Sequence, residues 1–292
     1  MKLMKTSIFL PLVLIMANLY YGQNHNEFHI DQSYPINNTG TLYLSLHDAD
    51  VTIIGENRQD VALKLDYFVS RKGIEWGNKE FYVEVDPKDG DLYIEEFREG
   101  SITIMGYSST EYKVVIKVPN GVTLNIKGDD DDYNITAING EISIDADDAD
   151  VLLKHCQGNS FYFDLDDGDV IMDEGRGSLT ARMDDGDIEI SNAAFDNIDF
   201  RGDDGELALE TSITPNSLFK LIGDDANFDI VITNGGGTFT IKHDDGDIDY
   251  DNNFRLMEQE EHRTVLALTG GRGKVIISGD DIRVNLASTQ SN

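Results

Sequence analysis

The stretch Ser178–Ser191, SLTARMDDGDIEIS, carries the pattern that decides the fold. Leu179, Ala181 and Met183 alternate with Thr180 and Arg182, and after the acidic tetrad Ile188 and Ile190 flank Glu189. Alternation with a period of two marks a strand with one buried face. The tetrad between the two runs is turn chemistry: Asp side chains accept hydrogen bonds from turn amides, and Gly tolerates φ > 0. Outward from this unit the same arrangement recurs. Phe161, Phe163 and Leu165 precede one such turn, and Val170 and Met172 follow it. Phe239 and Ile241 precede another, with Ile248 and Tyr250 behind it. The turns read DDYNI at Asp131, DDADV at Asp147, DDGDV at Asp166, DDGDI at Asp184, DDGEL at Asp203, DDANF at Asp224, DDGDI at Asp244 and DDIRV at Asp280. Their starts are 16, 19, 18, 19, 21, 20 and 36 residues apart. The last interval is nearly two periods and predicts a unit without its acidic turn, with Gly270-Gly271-Arg272-Gly273 in that place. Related turns stand at His47 (HDADV) and Lys88 (KDGDL).

A fixed period with the same turn in the same phase favours an all-β, single-chain β-solenoid with coils of about 19 residues, in which equivalent strands stack in parallel. The alternative is an antiparallel β-meander or sandwich, in which Asp-Gly closes tight hairpins. It leaves long open edges to be covered. Residues 128–286 hold the regular acidic repeats, and residues 23–127 are expected to be less regular coils of the same domain, since no Gly/Ser or Pro linker divides them. Arg71–Glu80 (RKGIEWGNKE) and Asn252–Arg263 (NNFRLMEQEEHR) are expected to be loop excursions.

The 292 residues hold 23 Lys plus Arg against 55 Asp plus Glu, a net charge of −32. This argues against nucleic acid and anionic membrane surfaces as partners, since both need a basic footprint. At 40% hydrophobic residues the chain has the apolar content for a core. Lys2, Lys5 and the apolar run Ile8–Met16 resemble a secretory signal over residues 1–22, too short to span a bilayer, with cleavage after Gly22. No later run reaches membrane-spanning length, so the expectation is an exported chain in the periplasm, at the cell surface or in the medium. The one cysteine, Cys156, excludes an intrachain disulfide and a thiolate metal cluster. Its neighbour His155 points to the opposite face of a strand and is no base for it.

The run YKVVIKVPNGVTLNIK (112–127), then DDDDYNITAINGEISIDADDADVLL (129–153) and the repeated DDGDI turns, resembles the bacterial adhesin-like families of unknown function, including those called auto-transporter adhesin head domains. TLYLSLHDADVTIIGENRQDVALKL (41–65) is similar to their opening and GGRGKVIISGDDIRV (270–284) to their closing coil. The resemblance covers about residues 40–286 and implies a solenoid-like fold, an envelope location and no enzyme activity. The common family turn carries Ser-Gly-Asp, so the Asp-Asp-Gly-Asp turns make this member unusually acidic.

Stacked coils lie about 4.8 Å apart, so equivalent Asp side chains form ladders, and two unit charges at that distance repel by roughly 0.9 kcal/mol in water. Turn hydrogen bonds and screening offset this in one reading. In the other, Ca²⁺, which takes six to eight oxygen ligands, is held by Asp166, Asp167, Asp169, Asp184, Asp185, Asp187, Asp244, Asp245 and Asp247. Neither the nine-residue Ca²⁺ β-roll repeat nor EF-hand spacing occurs. A polysaccharide-active solenoid enzyme would need a singular carboxylate pair. The Asp pairs here recur at the structural period, and no G-x-S-x-G, H-E-x-x-H or P-loop occurs. Binding fits better. Trp76, beside Arg71, Lys72 and Lys79, and Tyr107 and Tyr112, around a Ser/Thr-rich turn, are the candidate contacts to an unknown protein or glycan at the envelope.

Overall fold

A computed structural model describes residues 26–290; the signal-peptide reading lies outside them. The alternating runs become β1 (Glu27–Pro35), β2 (Thr41–Ser45), β3 (Asp50–Glu56), β4 (Asp60–Lys88), β5 (Asp91–Pro119), β6 (Thr123–Lys127), β7 (Asp130–Thr136) and β8 (Ile142–Lys154). They continue as β9 (Ser160–Asp167), β10 (Val170–Met183), β11 (Ile188–Ile213), β12 (Leu218–Gly235), β13 (Gly237–Tyr250), β14 (Phe254–Glu260), β15 (Arg263–Leu268) and β16 (Gly273–Ser288). No helix occurs among the described residues.

The repeats pair in parallel. Leu124 stands opposite Ile142, Phe161 opposite Leu179, Leu179 opposite Ile198 and Ile198 opposite Phe219. Equivalent apolar positions therefore lie above one another, and the chain forms a parallel β-helix-like stack. The antiparallel meander is overturned for the repeats, because the acidic turn joins strands of two faces and closes no hairpin. Antiparallel pairing is confined to the two ends: β1 on β4 and β4 on β5 at one, β13 on β15 and β15 on β14 at the other. The early coils also close sideways. β5 and β8 each pair on both faces, so β2, β5, β3, β7, β8 and β6 complete a hydrogen-bonded ring of six strands.

Inward residues of the two faces meet in one core. Leu42, Ile53, Phe161, Phe163, Phe195, Phe219, Phe228 and Phe239 are fully buried within it. Each contributes about 1.5–3 kcal/mol relative to exposure, which is why the alternation and not the acidic turns dictates the architecture.

The register corrects the reading of the repeat in four places. Asp130 pairs with Asp148 and Asp132 with Asp150, so the unit there begins at Asp129, and the interval of 16 becomes 18. The His47 turn is a true member, since Asp50 pairs with Asp132. The Lys88 turn is not: Asp89 and Gly90, with φ 56° and 95°, close the β4–β5 hairpin. Finally, no unit has lost its turn in the interval of 36. The chain leaves β13, forms the β14–β15 hairpin on its outer side, and returns so that β16 enters between β12 and β13. The two expected loops are likewise strand: Arg71–Glu80 lies inside β4, and most of Asn252–Arg263 forms β14 and its turn.

Candidate functional site: an acidic corner beside an aromatic ribbon

Stacking turns the fourth position of each acidic turn into a column. Asp50, Asp132 and Asp150 follow one another by strand register. Asp150 Oδ1 then accepts the Asp169 N–H at 3.1 Å, Asp169 Oδ1 the Asp187 N–H at 3.1 Å, and Asp187 Oδ1 the Glu206 N–H at 2.9 Å. Each carboxylate thus reaches up one coil to a backbone donor. The column runs on through Asn227 and Arg283 to Asp247, and below Asp50 it meets Lys113. Basic groups therefore stand at or near both ends of a negative row. The glycine before the fourth position is required by close approach: Gly168 has φ 111°, and a Cβ there would sit 2.3 Å from the Ala149 carbonyl oxygen.

The first two turn positions crowd like charges. Desolvation, and then the neighbours Asp184 and Asp147, raise the carboxyl of Asp166; desolvation with Asp167 and Asp130 raises that of Asp148. Asp132 is raised in the same way, with Asp150 and Asp50 beside it. A recess of about 350 Å³ opens among Asp48, Asp50, Asp130, Asp132, Asp148 and Asp150. The nine residues predicted for Ca²⁺ do not surround one point. Asp166, Asp167, Asp169, Asp184, Asp185 and Asp187 lie on adjacent coils in separate columns. Asp244, Asp245 and Asp247 lie beyond β16, with Asp245 opposite Asp281 and Asp247 opposite Arg283. Among the described residues no three His, Cys, Asp or Glu side chains converge as metal ligands.

Asp131 breaks the pattern. Register places it at the inward third position, opposite Ala149, where Gly168, Gly186 and Gly205 stand in later coils. It is buried, and it accepts the Ala49 N–H at 2.7 Å, the Asp129 N–H at 3.1 Å and the Tyr133 hydroxyl at 3.1 Å. Burial raises its carboxyl, while these three bonds hold it down in part.

Beside this corner β4 and β5 form one antiparallel ribbon from Ala62–Lys117 to Lys88–Asp91. Tyr67 and Phe81, both in β4, stack with ring centroids 3.6 Å apart. Fourteen extended residues would span roughly 46 Å, so the ribbon doubles back between them and projects from the body. Gly73, Gly77, Gly100 and Gly106, with φ 143°, 98°, 80° and 158°, allow the bend. Near its apex Ile74 opposes Met105, Trp76 opposes Thr103 and Lys72 opposes Tyr107. Directly opposite and alternate residues share a face, so four large side chains share one: Ile74 57%, Trp76 53%, Met105 67% and Tyr107 66% exposed. Two of the three predicted contact residues thus come together. Tyr112 does not join them. It is buried at the ribbon base, edge-on to Tyr67 and Phe81, and burial pushes its hydroxyl pKa up.

The base is clamped electrostatically. Arg98 donates to the buried Glu96 carboxylate, to Asp48 Oδ2 at 2.6 Å and to the His47 carbonyl at 2.5 Å, while Glu96 accepts the His47 N–H at 3.2 Å. Burial raises Glu96, with Arg98 opposing. The sequence reading missed this clamp and the apolar partners Ile74 and Met105. The only signal for them was a pair of glycine-interrupted runs that register to each other. Cys156 is fully buried, its thiol pKa raised by burial, and His155 turns outward to Glu174 at 3.3 Å. His243, His262 and Asp244 line a separate recess of about 390 Å³ at the β13 end.

A parallel β-helix-like stack with a ribbon at one end and a hairpin at the other defines an all-β repeat protein. The family model described as Toastrack DUF4097 matches residues 40–291, and the chain belongs to that family, a domain of unknown function. The auto-transporter head-domain type is narrower than this match. Among curated proteins none matches. Two solved structures match along most of the chain. One, from Clostridium sporogenes, is described as a "putative cell adhesion protein"; it is 10% identical, with a TM-score of 0.30, over 90% of this chain and 100% of that one. The other, from Bacteroides fragilis, is described as a "putative adhesin"; it is 10% identical, with a TM-score of 0.43, over 89% of this chain and 97% of that one.

Proposed function

We propose that this chain is an exported, non-enzymatic interaction protein of the adhesin type, which holds a protein or glycan of the bacterial envelope on the projecting β4–β5 ribbon. The observation that carries this reading is the apolar face of Ile74, Trp76, Met105 and Tyr107, held away from the body by a clamped base. Exposed aromatics on a stiff ribbon supply contact area at low ordering cost. The acidic columns keep the remaining surface strongly negative and exclude nucleic acid and anionic bilayers. The recurring carboxylates serve the stack and are not a singular catalytic pair. The test is binding of the purified chain to immobilised envelope protein and polysaccharide fractions, with Trp76→Ala/Tyr107→Ala alongside. Loss of binding by the double variant, with an unchanged circular dichroism spectrum and melting temperature, supports the reading. Equal binding by both chains overturns it. Ca²⁺ held by the carboxylates of adjacent turns is a second reading, favoured by the recess lined by Asp48, Asp50, Asp130, Asp132, Asp148 and Asp150 and by Asp166 and Asp148, which desolvation and then neighbouring aspartates raise.

A further inference from the structure

β16 occupies a slot made by two strands that are successive in the chain. β12 ends at Gly235 and β13 begins at Gly237, yet the two do not pair; β16 lies between them and pairs in parallel with both. Its inward residues are apolar partners to both walls. Val275 sits between Phe219 and Phe239, Ile277 between Leu221 and Ile241, and Val284 between Phe228 and Ile248. Two of its outward residues, Arg283 and Asn285, face acidic neighbours. Arg283 stands between Asn227 and Asp247, in a column where the other strands of the repeat region bring Asp132, Asp150, Asp169, Asp187 and Glu206. Asn285 Nδ2 donates to Asp229 Oδ1 at 2.5 Å and separates it from Asp249. Without β16, the same registers bring Phe219 over Phe239 and Asp229 over Asp249. The apolar rows fit either way, and what β16 adds is Arg283 beside Asp247 and an amide between Asp229 and Asp249.

The strand is attached by a hinge and a latch. Within the described residues it is tied to the rest of the chain only through Thr269–Arg272, which includes Gly270 (φ 104°) and Gly271, with exposed residues from 269 to 272. At its far end Asp251 accepts the Ser288 N–H at 2.7 Å on Oδ2 and donates its own N–H to the Leu286 carbonyl at 3.0 Å. The Thr289 N–H donates to the Ile232 carbonyl at 3.1 Å.

We propose that the slot between β12 and β13 is a strand-accepting site, and that β16 is exchangeable between it and the same slot of a second copy of this chain. A strand that supplies ladder bonds to both neighbours, fits their apolar rows and separates their charges is a donor strand in the sense of β-augmentation. Exchange of an identical element between copies costs little, because every contact made is one already made within a single chain.

Two full-length chains, each with one introduced cysteine, test this. One carries Lys220→Cys on the slot wall, the other Ile276→Cys on the strand; these are register partners and point outward. Parallel neighbours at about 4.8 Å fall within disulfide reach, and the native Cys156 is fully buried. The chains are mixed under mild oxidation and the crosslinked heterodimer is measured against Ile171→Cys, an exposed site on β10 that is no register partner of β16, in place of Lys220→Cys. Heterodimer severalfold above the control, and further increased when Asp251→Ala loosens the latch, is the expected result. A chain with both cysteines should close on itself and lose the exchange. Heterodimer at the control level in both backgrounds overturns the proposal, as does a double-cysteine chain that fails to close, because β16 would then not fill the slot.

Discussion

At the scale of single residues, aspartates with the same turn motif do opposite things. Asp187 is exposed and bonds the Glu206 N–H, a gain of about 0.5–1.5 kcal/mol set against repulsion of roughly 0.9 kcal/mol from each stacked neighbour in water. Salt screening brings the two repulsions down to about the size of the bond, so Asp187→Asn should move stability by no more than about 0.5 kcal/mol. Asp131 is buried with three donors aimed at it. Asp131→Ala leaves the Ala49 and Asp129 N–H groups and the Tyr133 hydroxyl without that acceptor and should cost about 1–3 kcal/mol in urea unfolding. A loss equal to that of Asp187→Asn would remove the distinction. The sequence could not separate these two residues. Four consecutive aspartates, Asp129–Asp132, allow two phases, and only pairing to the next coil decides that Asp131 faces inward.

At the scale of elements, the parallel strands were legible because a period of two, repeated at nearly constant spacing, leaves one arrangement that buries every apolar row. The ribbon was not. Its glycines interrupt the alternation in Arg71–Glu80, and its partner strand is remote in sequence for most of its length, so nothing local marks it as strand. The place of β16 was also hidden, since period alone orders coils as the chain does. Trp76 and Tyr107 were legible as unexplained aromatics, whereas the burial of Tyr112 depends on Tyr67 and Phe81 meeting across the fold. The ribbon divides accordingly in what mutation should do. Trp76→Ala, at an exposed apex, should leave stability within about 0.5 kcal/mol. Tyr112→Ala, in the packed base, should cost about 3–5 kcal/mol. Arg98→Ala strands the buried Glu96 carboxylate and should cost about 3–5 kcal/mol. Arg98→Ala/Glu96→Gln should recover part of that loss, which chemical unfolding of the two variants would measure.

At the scale of the molecule, a net charge of −32 wrapped on a stack sets how stability responds to solvent. Asp131, Asp132, Asp148, Asp166, Glu96 and Glu206 all have raised carboxyls in the fold. A carboxyl raised in the folded state takes up its proton there first, so stability rises as pH falls through the raised values and stops rising below the ordinary carboxylate range. Glu56 and Asp66, lowered by bonds to Lys117 and His29, act in the opposite sense only at lower pH. The melting temperature should therefore rise from pH 7 towards pH 5 and fall again in stronger acid. Added NaCl should raise it at neutral pH, since screening relaxes the columns. Ca²⁺ and Mg²⁺ at equal ionic strength should raise it alike. A Ca²⁺ excess near 2.7 kcal/mol, the gain for one site at a hundred times its dissociation constant, would instead identify the columns as metal sites.

The carboxylate that each coil extends to the backbone of the next has a consequence for how such a protein can change size. A coil that gives one bond upward and receives one from below is interchangeable with its neighbours. Duplicating the segment from Asp166 to Met183 should add one step of about 4.8 Å and disturb neither the ribbon nor the inserted strand. The middle of the molecule is then a ruler, and the number of its graduations sets how far apart the two specialised ends are held.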